Sequence, residues 1–145
     1  MSTPDPTHSP PPPSSDPAEL WRVALDARAH AYAPYSHFRV GAAVRTADGR
    51  VFAGSNVENA SYGLSVCAER AAVVAAVNAG ARELVAVAVA TGASPPAGPG
   101  GMCRQTLAEF ALDLPVTLVN DRGERIDTTL ATLLPLAFHG DALPR

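Results

Sequence analysis

Seven consecutive apolar residues, Leu84 to Ala90, lie between the charged pair Arg82-Glu83 and Thr91-Gly92. The run is far below the roughly 18 residues of a membrane-spanning helix. It also presents no polar face. Leu84 to Thr91 is therefore expected as a strand buried on both sides, central in a sheet.

The flanking segments supply helices to cover such a sheet. Asp16-Pro17-Ala18-Glu19 reads as a helix start, with Asp as N-cap, Pro in the first turn and Glu completing a capping box. Leu20, Val23, Ala24, Ala27 and Ala31 recur at helical spacing, and Pro34 ends the helix near Tyr32. Phe38 to Ala47 and Arg50 to Ser55 read as strands joined by a two-residue turn at Asp48-Gly49. A second helix is expected from about Val66 to Asn78, stopped by Gly80. The glycines and prolines of Gly92 to Gly101 make a loop, and Met102 to Leu112 a third helix. Pro115 to Asn120 and Glu124 to Thr128 read as strands around Asp121-Arg122-Gly123, before a short helix from Thr129 to Leu134. This order implies an α/β fold, a three-layer α/β/α sandwich with a mixed five-stranded sheet. The opening hairpin is antiparallel, and the later crossovers join parallel strands.

Seven of the fourteen prolines fall within the first seventeen residues. Residues 1–15 are expected as a disordered Pro/Ser-rich tail, and 16–145 as one domain. No basic segment followed by an apolar stretch opens the chain, so no secretory signal is read and a cytoplasmic location is expected. The net charge of −3 argues against a nucleic-acid surface, and no membrane partner is expected. All eleven cations are arginine, which excludes Schiff-base and P-loop lysine chemistry.

The chain has two cysteines, Cys67 and Cys103. Each follows a loop and opens a helix, where the macrodipole and free N–H groups stabilise a thiolate. Thiolate is the form that ligates Zn²⁺. The readings open to each are metal ligand, nucleophile or buried filler. Glu69 lies two residues after Cys67, and positions i and i+2 of a helix do not share a face, so spacing alone does not unite them.

The chain carries the run from Tyr32 to Ala43, then Asn56-Val57-Glu58-Asn59-Ala60, Cys67-Ala68-Glu69-Arg70, Cys103-Arg104-Gln105 and Leu133-Leu134-Pro135. On these motifs the sequence is similar to the small homotetrameric cytidine deaminases of pyrimidine salvage. The likeness spans about Leu20 to Leu143. The resemblance implies a Zn²⁺ site with Cys67 and Cys103 as ligands. The position matching a third cysteine is Gly100, which has no side chain to offer. Glu69 would be the catalytic residue, taking a proton from water and returning protons to N3 and the leaving amine as oxygen attacks C4. Phe38 resembles the residue that stacks on the pyrimidine. Asn56 and Glu58 resemble the ribose-binding pair. Ala68 would offer backbone groups to the base. Arg70 would offset thiolate charge, and Phe138 would complete a neighbouring subunit's site. The implied activity is deamination of cytidine and deoxycytidine. Gly100 keeps a catalytically impaired nucleoside-binding homologue in view, and a modified cytosine nucleoside is the other substrate considered.

Overall fold

Leu84–Thr91 forms the third strand, β3, and lies at the middle of the sheet. Around it are β1 (Gly41–Thr46), β2 (Val51–Ser55), β4 (Pro115–Asn120) and β5 (Arg125–Thr129), in the order β2-β1-β3-β4-β5. This computed structural model describes residues 15–144, so all but the last residue of the expected tail lie outside the described residues. β1 pairs antiparallel with both β2 and β3, β3 pairs parallel with β4, and β4 pairs antiparallel with β5. β2, β3 and β4 therefore run the same way, as the two crossovers require.

The helices are α1 (Pro17–Arg28), α2 (Ala68–Asn78), α3 (Gly101–Ala108) and α4 (Leu130–Leu133). Side chains alternate across each strand, so each face of the sheet builds its own cluster. Ala42, Val44, Val87, Val89, Val116 and Leu118 pack with Ala72, Val73 and Ala76 of α2 and Leu107 of α3. Ala43, Ala88, Ala90 and Val119 face the other way, onto Leu20 and Ala24 of α1. This is the expected three-layer arrangement. No helix among the described residues is long and apolar enough to cross a membrane.

Two glycines let the helices approach. A Cβ on Gly41 would stand 2.0 Å from the Ala24 carbonyl oxygen of α1. A Cβ on Gly54 would stand 2.4 Å from the Ala68 carbonyl oxygen and 2.4 Å from the Ala72 nitrogen of α2. These are backbone atoms, which cannot rotate away. Gly54→Ala is expected to force α2 outward and cost about 1–3 kcal/mol or more. A thermal melt should fall by roughly 2–4 °C for each kcal/mol lost. An unchanged melt would contradict this packing.

Several boundaries differ from expectation, most of them because another backbone hydrogen bond competes. α1 ends at Arg28, not near Tyr32, because the Tyr32 backbone pairs elsewhere. Its N–H donates to the Asn56 carbonyl at 2.9 Å, and its carbonyl accepts from Glu58 N–H at 2.8 Å. The β1–β2 turn has three residues, not two. Thr46 N–H donates to the Arg50 carbonyl at 2.9 Å, and Gly49 takes the left-handed conformation with φ 87°. α2 starts at Ala68 because Val66 exchanges hydrogen bonds with Val57. α3 stops at Ala108, four residues short of Leu112.

Candidate active site

Cys67 is the N-cap of α2, with extended backbone at φ −75° and ψ 152°. Because it stands outside the helix, the rule separating positions i and i+2 does not govern its side chain. Its sulfur makes no capping hydrogen bond. Glu69 follows in the first turn of α2 and is only 5% exposed. Cys103 lies in the first turn of α3 and is 2% exposed. The N-termini of α2 and α3 meet beyond the end of β3, where sheets of this class place their sites. The ligand atoms of Cys67, Glu69 and Cys103 lie within 4.8 Å of one another.

Burial pushes the Cys103 thiol well above its ordinary pKa. The nearby Glu69 charge and hydrogen bonding with Glu69 and Cys67 push in the same direction. A divalent cation reverses that preference, because a coordinating thiol is deprotonated. Two sulfurs beside a carboxylate oxygen suit Zn²⁺ as a donor set. Gly100, the N-cap of α3, faces the same cavity and contributes no donor.

The cavity has a volume of about 330 Å³, within the usual range for a small-molecule site. Cys67, Ala68, Glu69 and Cys103 line it together with Phe38, Asn56 and Glu58. The structure thus brings together the expected metal, catalytic and substrate residues. Ala68 is fully buried, and Phe38 is 43% exposed. Asn56 holds the segment before β1: its Oδ1 accepts from Val40 N–H at 2.8 Å, and its Nδ2 donates to the Phe38 carbonyl at 2.9 Å. That grip keeps Phe38 to Val40 out of the strand and sets Phe38 at the cavity.

Glu58 accepts from the N–H groups of Tyr35 and Ser36 at 3.0 and 3.1 Å, and from the Ser36 hydroxyl. The Ser36 hydroxyl, with these N–H groups, holds the Glu58 carboxyl below its usual 4.5. Ser36 was not singled out from sequence. Its signal was position, two residues after Pro34 in a turn whose backbone N–H groups need an acceptor. Thr91 was missed too. Its hydroxyl accepts from Ala93 and Ala97 N–H, each at 3.3 Å, and so folds the loop that leads to Gly100.

Arg70 and Phe138 stand apart from the residues lining this cavity. Arg70 reaches from α2 to α3, its Nη1 lying 3.1 Å from Met102 Sδ. Phe138 is 61% exposed, with its carbonyl accepting from Gln105 Nε2 at 2.9 Å.

Residues 14–118 match the model of the cytidine and deoxycytidylate deaminase zinc-binding region. The chain belongs to this deaminase family. A cytidine deaminase of Halalkalibacterium halodurans is 48% identical over 120 residues, covering 82% of this chain and 91% of the relative. The crystal structure of cytidine deaminase from Burkholderia pseudomallei superposes with a TM-score of 0.82 at 48% identity, covering 85% of this chain and 99% of that one. That of the Mycobacterium tuberculosis cytidine deaminase gives 0.75 at 42% identity, covering 86% and 98%. The deaminase fold and the Cys-Glu-Cys cluster fit Zn²⁺ as the cofactor.

Proposed function

We propose that this chain hydrolyses cytidine and deoxycytidine to uridine and deoxyuridine, releasing ammonia. The observation that carries the reading is the cluster of Cys67, Glu69 and Cys103 at the buried part of a nucleoside-sized cavity. Cys67 and Cys103 hold Zn²⁺, which supplies Lewis acidity that brings the pKa of water toward about 7. Glu69 takes a proton from the attacking water. It then gives protons to N3 and to the amine leaving C4. Its burial shields this shuttle from bulk solvent. Phe38 stacks on the pyrimidine, Asn56 and Glu58 bind the ribose hydroxyls, and the Ala68 backbone meets the base. Arg70 balances thiolate charge from across the α2–α3 junction.

The assembly we propose is a homotetramer in which Phe138, exposed on its own subunit, completes a neighbour's site. The enzyme acts in the cytoplasm in pyrimidine salvage, its one domain beginning at residue 16. The test is product analysis with Zn²⁺ present. Cytidine and deoxycytidine should give uridine, deoxyuridine and equimolar ammonia. Gly100 favours one second reading, a nucleoside-binding protein that releases none. Binding of cytidine without ammonia release would support that reading. Turnover of modified cytosine nucleosides alone would move the substrate assignment.

Glu58 gives this reading a pH dependence. Its carboxyl is held below 4.5 in the folded chain by the Ser36 hydroxyl and two N–H groups. The charged form is therefore favoured by folding. Its stabilising effect is present above the unfolded pKa and is lost as pH falls through the lower folded value. Ribose binding should accordingly persist into mild acid. Ser36→Ala removes the hydroxyl, so the acidic rise in KM should begin at higher pH. An acidic limb unmoved by Ser36→Ala would remove Glu58 from ribose binding.

A further inference from the structure

Gly100 faces the site cavity with ordinary extended backbone, φ −66° and ψ 167°, and a Cβ built there meets nothing within 4 Å. The space beside Gly100 is therefore open, and Gly100 itself lines the cavity. Among the described residues, the one carboxylate beside both sulfurs is Glu69, which the proposed reaction uses as its proton shuttle. Residues 92–102 contain no Cys, His, Asp or Glu. The cavity's other carboxylate beside Glu69 is Glu58, already engaged by Tyr35 and Ser36. Thr91 and Ser65, also at the cavity, accept from backbone N–H groups.

We infer that this notch binds a small thiol from solution, which supplies the third sulfur to the metal held by Cys67 and Cys103. The inference rests on the zinc reading given above. Two thiolates make the metal position soft, and soft positions favour sulfur over oxygen donors. The N-termini of α2 and α3 both meet there and favour an anionic ligand. The missing side chain is one methylene and one sulfur, so the ligand class is hydrosulfide and the short alkyl thiols. Larger thiols would compete with a nucleoside in a cavity of about 330 Å³. Binding forms a metal–sulfur bond and releases the thiol proton to solvent, with no change in oxidation state.

The test uses Co²⁺ in place of Zn²⁺, read by the near-ultraviolet sulfur-to-cobalt charge-transfer band. In the full chain, ethanethiol should raise the band from the intensity of two sulfurs toward that of three. It should also tighten Co²⁺ binding by about 100-fold at saturation, the share of one ligand in a four-ligand site. Ethanol, the oxygen counterpart, should do neither. Gly100→Cys should show the three-sulfur intensity unaided and ignore ethanethiol. If Gly100→Cys behaves so while the unaltered chain binds Co²⁺ and ignores ethanethiol, the inference is overturned. Loss of the cobalt spectrum on adding thiol would overturn it equally. If neither protein binds Co²⁺ through sulfur, the zinc reading fails with it.

Discussion

Gly100→Cys is expected to raise Zn²⁺ affinity by about two orders of magnitude. Four-ligand zinc sites bind with roughly 10–16 kcal/mol, which puts one ligand near 3 kcal/mol, or about 100-fold. The backbone at Gly100 suits any residue, and a Cβ there finds open space, so the new thiol adds a ligand without strain. At limiting Zn²⁺ the variant should carry metal, and activity, that the parent chain loses to a chelator. At saturating Zn²⁺ the gap should narrow. Three thiolates leave the site with a net charge of −1 and two leave it neutral, and the neutral metal acidifies water more strongly. Competition titrations against a chelator, run beside initial rates, measure both parts. Equal affinities would show that another ligand already fills the position.

Glu69→Gln is expected to lower kcat by about 10²–10⁴-fold with little change in KM. Glutamine keeps the volume of a side chain that is only 5% exposed, so packing should survive. What it removes is the oxygen that accepts and returns a proton. Zinc content is the second readout. If Glu69 serves only as the proton shuttle, Zn²⁺ stoichiometry should be unchanged. If the Glu69 carboxylate, within 4.8 Å of both sulfurs, has replaced the missing thiolate, metal content should fall with the rate.

The central strand was legible because its pattern has one solution. Leu84 to Thr91 has no polar face, and it occupies the middle of the sheet. The turns at Gly49 and Gly123 were legible because both adopt positive φ, which glycine tolerates. Helix ends were not, since they depend on distant partners. Tyr32 leaves α1 to pair with Asn56 and Glu58, 24 and 26 residues further along. Cys67 and Glu69 illustrate the limit at the site. Helical spacing separates them, and only the extended N-cap backbone of Cys67 lets their side chains meet. The Ser36 contact to Glu58 was invisible for the same reason, because a turn brings together residues 22 apart.

The most direct test is the fall in ultraviolet absorbance as cytidine becomes uridine, followed in metal-free protein before and after addition of Zn²⁺. The account predicts a fall that appears only with Zn²⁺ and is nearly abolished by Glu69→Gln. A flat trace at saturating Zn²⁺, from folded protein that still binds cytidine, would contradict it.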